Sequence, residues 1–223
     1  SGILGDNFNG DLLLKMIETQ KHRGPDASDK YIEGNVGLGH NRLSIIDLSK
    51  AANQPFIDQS ERYIIVFNGE IYNYLELKLE LDYNFKTNSD TEVLLAAYIK
   101  WGKACLHKLN GMFSFAIWDS LDKKLFAARD RFGVKPFYYH YSKNTFYFAS
   151  EIKAIHVAGI DIKPNKKIWA NYFVYGSYGM PNETFWEEIH QLPGGHLLEL
   201  ANNHIKIEKW YVFEEEIKKH QYK

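Results

Sequence analysis

A side-chain amide, a glycine N–H and a carboxylate follow one another in Asn68-Gly69-Glu70, directly behind the apolar run of residues 63–67. An amide beside a free backbone N–H makes a pair of donors that can hold a developing oxyanion. Asn and Gly also tolerate positive φ, so the same residues predict a strand that stops at Phe67 in a tight turn; a plain hairpin turn would carry no chemistry. Ser1 opens the chain. The α-amine of an N-terminal Ser, with a pKa of about 7.7–8.0, can serve as base for its own hydroxyl. Otherwise Ser1 is simply what processing leaves behind. Arg42 sits among apolar residues, and a half-buried guanidinium wants a carboxylate: either an acid of the protein or a substrate carboxylate held bidentate. Asp90 lies inside Ser89-Asp90-Thr91-Glu92, a capping box. In the first turn of the helix it either complements the helix dipole or binds an ammonium. Cys105 has no paired His and reads as a small buried hydrophobe rather than a nucleophile.

These residues need a scaffold, and the composition bounds it. The chain has 223 residues, comfortable for one large domain. A formal net charge of −1 gives no basic field for nucleic acid or an anionic membrane. No apolar run approaches the roughly 20 residues that span a bilayer. The start of the chain lacks the basic and apolar regions of a signal peptide. With one cysteine there is no disulfide framework, and a cytoplasmic location is expected. Phosphate loops, dinucleotide fingerprints, Cys-x-x-Cys and Gly-x-Ser-x-Gly are missing, and the nine histidines form no His-Glu-x-x-His pattern, so no catalytic metal is expected.

Periodicity then assigns elements. Residues 1–5 read as a strand at the terminus and 11–20 as a helix behind a cap at Asn9-Gly10-Asp11. Gly24-Pro25-Asp26 is a turn, and residues 31–46 read as two strands around Gly34-Asn35. Residues 74–81 suggest a short helix, and Ser89 opens a long one with Val93, Leu94, Ala97, Tyr98 and Trp101 on its apolar face. From Asn110 onward the chain is strand-rich: 112–118, 124–128, then 137–141 and 145–149 across a hairpin loop. Residues 150–157 read as helical. The aromatic-rich segment 168–178 has no clear period. Residues 197–200 and 204–210 form a last hairpin, and 214–223 are a charged run that reads as a tail or linker.

Together these stretches resemble one family: the glutaminase domain of class II glutamine amidotransferases, in particular that of glutamine-dependent asparagine synthetases. The resemblance rests on Ser1-Gly2-Ile3, His22-Arg23-Gly24-Pro25-Asp26, Gly39-His40-Asn41-Arg42-Leu43-Ser44-Ile45, Asn68-Gly69-Glu70-Ile71-Tyr72-Asn73, Ser89-Asp90-Thr91-Glu92, Leu109-Asn110-Gly111, Ala128-Arg129-Asp130, Ala149-Ser150-Glu151 and Leu192-Pro193-Gly194-Gly195-His196, in family order. It spans residues 1–211, leaving 212–223 as the start of a linker. The implied fold is α+β: an N-terminal-nucleophile αββα sandwich, two antiparallel sheets between helix layers. The implied substrate is L-glutamine. Residue 1 would attack its side-chain amide, with the α-amine moving the proton. Asn68 and the Gly69 N–H would form the oxyanion hole. Arg42 would grip the α-carboxylate, Glu70 and Asp90 the α-ammonium, and the backbone of Leu43, Ser44, Ile45 and Ile46 would line the pocket.

Two departures qualify the resemblance. The family has Cys at position 1, where this chain has Ser1. A hydroxyl is much harder to deprotonate than a thiol, so glutamine is expected to bind but turn over slowly or not at all. A non-catalytic glutamine-binding or docking module is the alternative. The family's ATP-pyrophosphatase loop, Ser-Gly-Gly-x-Asp-Ser, is absent from these residues. The chain is therefore expected to need no cofactor. ATP and magnesium belong to a synthetase domain or subunit that receives ammonia, and a homo-oligomer is compatible with the sequence.

Overall fold

In chain order the elements of this computed structural model are β1 (Gly2–Gly5), α1 (Gly10–Thr19), β2 (Ala27–Glu33), β3 (Val36–Arg42), β4 (Phe56–Ile57), β5 (Tyr63–Ile71), α2 (Tyr74–Glu80), α3 (Asp90–Trp101), α4 (Cys105–Lys108), β6 (Gly111–Asp119), β7 (Lys124–Arg129), β8 (Tyr138–Ser142), β9 (Thr145–Ala149), α5 (Ile152–Val157), α6 (Lys166–Tyr175), β10 (His190–Gln191), β11 (His196–Ala201), β12 (His204–Lys209) and α7 (Phe213–Lys219). The structure describes residues 1–177 and 179–219, so the ends of the 168–178 and 214–223 segments lie outside the described residues. Two six-stranded sheets result, ordered β10-β8-β9-β1-β3-β2 and β12-β11-β7-β6-β5-β4. Every pairing is antiparallel.

Strand alternation sorts the apolar residues into three packed layers. On β5, Ile64 and Val66 face the other sheet and join Leu4, Leu38, Phe146 and Phe148 in the core between the sheets. Their neighbours Ile65 and Phe67 face the opposite way, onto Val93, Leu94 and Ala97 of α3 and Leu106 of α4. On the far side, Ile3 and Tyr147 meet Leu13, Met16 and Ile17 of α1 and Ala154 and Ile155 of α5. The sandwich is thus helix, sheet, sheet, helix, as expected. Both N-caps form where the sequence places them: Asn9 accepts from the N–H groups of Asp11 and Leu12, and Ser89 accepts from that of Thr91. The Glu92 half of the expected capping box does not form, because the Glu92 carboxylate accepts from the N–H groups of Lys86 and Thr87 while the Ser89 N–H donates to Thr87 Oγ1.

One expectation is overturned. The strand does not stop at Phe67. β5 runs through Asn68 and Gly69 to Ile71, with Asn68 opposite Ser114, Gly69 opposite Phe113 and Glu70 opposite Met112. The Asn-Gly pair is mid-strand because the long partner β6 continues the ladder beyond the point where a turn would leave it. Glycine is needed there for space: a Cβ on Gly69 would lie 2.2 Å from the Met112 carbonyl oxygen. The unassigned aromatic segment forms α6, capped by Asn165 and closed by Gly176 in the left-handed conformation. The charged run begins as α7 rather than an irregular tail. Among the described residues, no helix is long and apolar enough to cross a membrane.

Candidate active site

One cleft is lined from both sheets. It has a volume of about 310 Å³, and Ser1, Arg42, Asn68, Gly69, Glu70 and Asp90 all line it. Leu43, Ile45 and Ile46 line it as well. Ser44 does not; its N–H donates to Asp26 Oδ2 at 2.7 Å.

β1 carries Ser1 into the first sheet. The Ser1 carbonyl accepts from the Gly39 N–H at 2.8 Å, and its α-amine donates back to the Gly39 carbonyl at 2.9 Å. The ladder with β3 therefore includes the terminal residue itself. Burial pushes the amine from 8.0 down to about 5, so at neutral pH it carries a free lone pair. Among the described residues, the Ser1 hydroxyl approaches only the same carbonyl, at 3.5 Å.

The opposite wall is the open edge of β5. Here β4 is only two residues long and covers Ile64 and Ile65. Beyond it the N–H groups at alternate positions have no ladder to join. Phe67 donates to Gln54 Oε1 at 2.6 Å, and Ile71 donates to Asp90 Oδ2 at 3.0 Å. Gly69 lies between them on the same edge. Its neighbour on β6, Phe113, turns both backbone groups toward Asp130: N–H to Oδ2 at 3.2 Å, and carbonyl from the Asp130 N–H at 2.8 Å. The Gly69 N–H is thereby left directed into the cleft. Asn68 faces the first sheet, and its Nδ2 donates to Ser150 Oγ at 3.2 Å, which leaves the second amide hydrogen available. Two neutral donors thus sit on the cleft that Ser1 also lines; such a pair can hold an oxyanion.

The charged groups are set differently. Arg42 ends β3 and is 8% exposed. Its Nη1 donates to the Ser49 carbonyl at 2.6 Å and to Asn53 Oδ1 at 2.7 Å, and its Nη2 to the Asp47 carbonyl. The Asp47 carboxylate turns elsewhere, accepting from the N–H groups of Ser49 and Asn88, each at 2.8 Å. Among the described residues, then, no carboxylate forms an ion pair with Arg42. Of the two options left open by the sequence, a protein acid is ruled out as its direct partner. Asp90, in the first turn of α3, is 6% exposed. Burial raises its carboxyl from 3.8 to about 6, against the opposing Ile71 and Thr91 N–H groups and with help from the charge of Glu70. Among the described residues, then, the cleft holds the Arg42 guanidinium and the carboxylates of Asp47, Glu70 and Asp90, none of them in an ion pair.

Three supporting residues carried no signal strong enough to be assigned from the sequence. Gln54 bridges the Phe67 N–H and, through Nε2, Thr91 Oγ1 at 3.2 Å, tying β5 to the start of α3. His40 Nε2 lies 3.0 Å from the Phe67 carbonyl. Ser150 holds Asn68. Its neighbour Glu151 gathers His22, Arg23 and Lys153 at 3.0, 3.1 and 2.9 Å, anchoring the segment after β9. A His and a Gln set beside apolar strand residues were the available clues. Cys105 is buried in the α-helical layer with its thiol pushed up to about 12, which makes it inert. Among the described residues, no cluster of His, Cys, Asp and Glu could hold a metal ion.

The chain is thus an αββα sandwich with its first residue on the wall of the cleft. A family model described as a glutamine amidotransferase domain matches residues 1–211, and the chain belongs to that family. It is 45% identical over 168 residues to glutamine-hydrolyzing asparagine synthetase 1 of Bacillus subtilis, covering 74% of this chain and 26% of that protein. It is 38% identical over 209 residues to asparagine synthetase 3 of the same organism, covering 91% and 34%. Amidase chry2 of Gibberella zeae is 38% identical over 202 residues, covering 86% and 29%. The chain thus spans about a quarter to a third of the length of these curated relatives. The glutamine phosphoribosylpyrophosphate amidotransferase of B. subtilis shares the fold, with a TM-score of 0.72 at 20% identity, covering 94% of this chain and 48% of that one.

Proposed function

We propose that this domain binds L-glutamine and hydrolyses its side-chain amide to glutamate and ammonia. The observation that carries the reading is the Gly69 N–H, left open on the β5 edge beside Asn68 and Ser1 while the N–H groups on either side are capped. The charge pattern supports the same substrate. Arg42 suits an α-carboxylate, and Glu70 and Asp90 suit an α-ammonium, so a zwitterion would satisfy all three. The backbone from Leu43 to Ile46, Ser44 included, completes the pocket in this reading.

The chemistry would run as two acyl transfers. The neutral Ser1 amine takes the hydroxyl proton as Oγ attacks the amide carbon. Asn68 and Gly69 stabilise the oxyanion, and the amine hands the proton to the departing nitrogen. Water then cleaves the ester by the same route in reverse. Residues 1–211 would form the glutaminase unit, with 212–223 beginning a linker. Several relatives bear the name of glutamine-hydrolyzing asparagine synthetases, which supports delivery of ammonia to an ATP- and magnesium-dependent synthetase partner and asparagine as the product.

Ser1 favours a second reading, a glutamine-binding module without turnover, because an alcohol demands far more of its base than a thiol does. Ammonia release by the chain and by Ser1→Cys separates the two, with the free first residue verified by intact mass. Turnover that appears or rises with Cys supports the hydrolase. Binding of glutamine without turnover in either protein selects the module, and no binding at all defeats both.

A further inference from the structure

A chamber of about 40 Å³ lies between the two sheets, lined by Ser1, His40, Asn68 and Ser150, which it shares with the cleft, and by Ser114 and Phe148. That volume excludes a glutamine side chain but exceeds the roughly 10–15 Å³ that one water requires. His40 defines its polarity. The Phe67 carbonyl can only accept, so the imidazole proton sits on Nε2 and Nδ1 is a bare acceptor. Nδ1 is buried and has no partner among the described residues. The ring also stays neutral, since burial and the nearby Ser1 amine push it down to about 3. Ser150 Oγ accepts from Asn68, and among the described residues nothing takes its hydroxyl proton. Ser114 spends its proton on the Pro136 carbonyl at 3.0 Å, leaving its oxygen to accept. His40, Ser150 and Ser114, which carry one acceptor nitrogen, one hydroxyl donor and one hydroxyl oxygen, thus border a space of molecular size.

We propose that this chamber binds a single water-sized hydrogen-bond donor, water or ammonia, and that His40 is the positioning residue that holds, at Nδ1, the water that deacylates Ser1. The site stands on geometry alone; its chemistry rests on the glutaminase reading above. The chamber borders both Ser1 and Asn68, so it opens onto a carbonyl bound between them. In acylation the C–N bond breaks and ammonia leaves with the proton relayed by the amine. In deacylation a water oxygen bonds to the same carbon, the C–Oγ bond breaks, and a water proton passes through the amine to Oγ. The entering water and the leaving ammonia use one position, because each is the other's counterpart in equivalent tetrahedral intermediates.

Two measurements test it. The first is a high-resolution crystal structure of the chain, with ¹⁵N spectra of the His40 ring. The expected result is an ordered water within hydrogen-bonding distance of Nδ1 and the proton on Nε2. An Nδ1–H tautomer, or no solvent within reach of Nδ1, overturns the site. The second is steady-state and burst kinetics of Ser1→Cys with His40→Phe, which keeps a ring without nitrogens, and with His40→Gln, which keeps an N–H for Phe67. His40→Phe should lower kcat about ten- to hundredfold with kcat/KM nearly unchanged, show an ammonia burst equal to the enzyme, and recover turnover with hydroxylamine as γ-glutamyl hydroxamate. His40→Gln should recover part of kcat. Equal losses in kcat and kcat/KM without a burst, in whichever variant folds, overturn the positioning role. Absence of ammonia release even from Ser1→Cys would count against the glutaminase reading instead, and the first measurement would still decide the chamber.

Discussion

The cationic and anionic walls of the cleft solve one problem in opposite ways. Each must hold charge out of water without a counter-ion before a ligand arrives. Arg42 cannot release its proton under any ordinary condition, so the fold surrounds it with neutral oxygens: the carbonyls of Asp47 and Ser49 and the amide of Asn53. Asp90 can change its charge, and burial shifts it up to about 6. The guanidinium wall is preorganised by dipoles, whereas the carboxylate wall yields by titration. A ligand charged at both ends therefore meets a fixed anchor at one wall and a pH-dependent one at the other.

Removing the fixed anchor should have the largest effect. Arg42→Ala is expected to weaken glutamine binding by about 3 kcal/mol or more, and Arg42→Lys should recover little, because a point charge lacks the fork. Titration calorimetry reads both; an affinity within threefold of the parent for Arg42→Ala would break the comparison at its stronger half. The yielding wall predicts a smaller, conditional effect. An ammonium prefers ionised Asp90, so binding should be intact above pH 7 and fall about tenfold between pH 7 and 5 as the carboxyl protonates around 6. Asp90→Asn should bind weakly at every pH and lose that slope. If the parent's affinity is flat over the range, Asp90 does not hold the ligand cation. Turnover should carry a second acid limb near 5, where the Ser1 amine gains a proton and ceases to be a base.

The charged walls and the neutral donor pair differ in how far the sequence revealed them. Arg42, Glu70 and Asp90 stand out because charge inside apolar or capping patterns is conspicuous, and the helix that places Asp90 announces itself through Ser89-x-x-Glu92. The layered fold follows from alternation in residues such as Ile64 to Phe67. What sets the donor pair was hidden. Asn68-Gly69 carries a turn signal that is local, while its true conformation depends on pairing with β6, more than forty residues away. Gln54 and His40 act on the backbone of Phe67, so their importance lies in contacts that no spacing rule encodes. α6 escaped because its aromatics pack on one another, Trp169 on Phe173 at 5.6 Å, rather than along a single buried stripe.

The neutral donor pair offers a control for both walls. Ser150→Ala removes the acceptor that fixes the Asn68 amide. Its cost should be about 1 kcal/mol in kcat/KM for the Ser1→Cys protein, with glutamine affinity unchanged, because a ground-state zwitterion is gripped elsewhere. A matching loss of affinity would mean that Asn68 contributes to binding rather than to the oxyanion.

The smallest expected effect concerns stability. Folding raises the Asp90 carboxyl from 3.8 to about 6, so between these values the unfolded chain gives up the proton first. Stability contributed by neutral Asp90 is fully present below pH 3.8 and is lost as pH rises through 6. Asp90→Asn is always neutral and escapes that loss, although it has one acceptor fewer for the Ile71 and Thr91 N–H groups. The variant should fall about 1 kcal/mol below the parent near pH 4, where only the lost acceptor counts, and exceed it by about 1 kcal/mol at pH 7, as read from urea midpoints at the two pH values. A variant less stable than the parent at pH 7 would show that Asp90 is held for its hydrogen bonds. A more stable one would mark it as a residue whose burial costs stability, as expected of a group kept for a ligand.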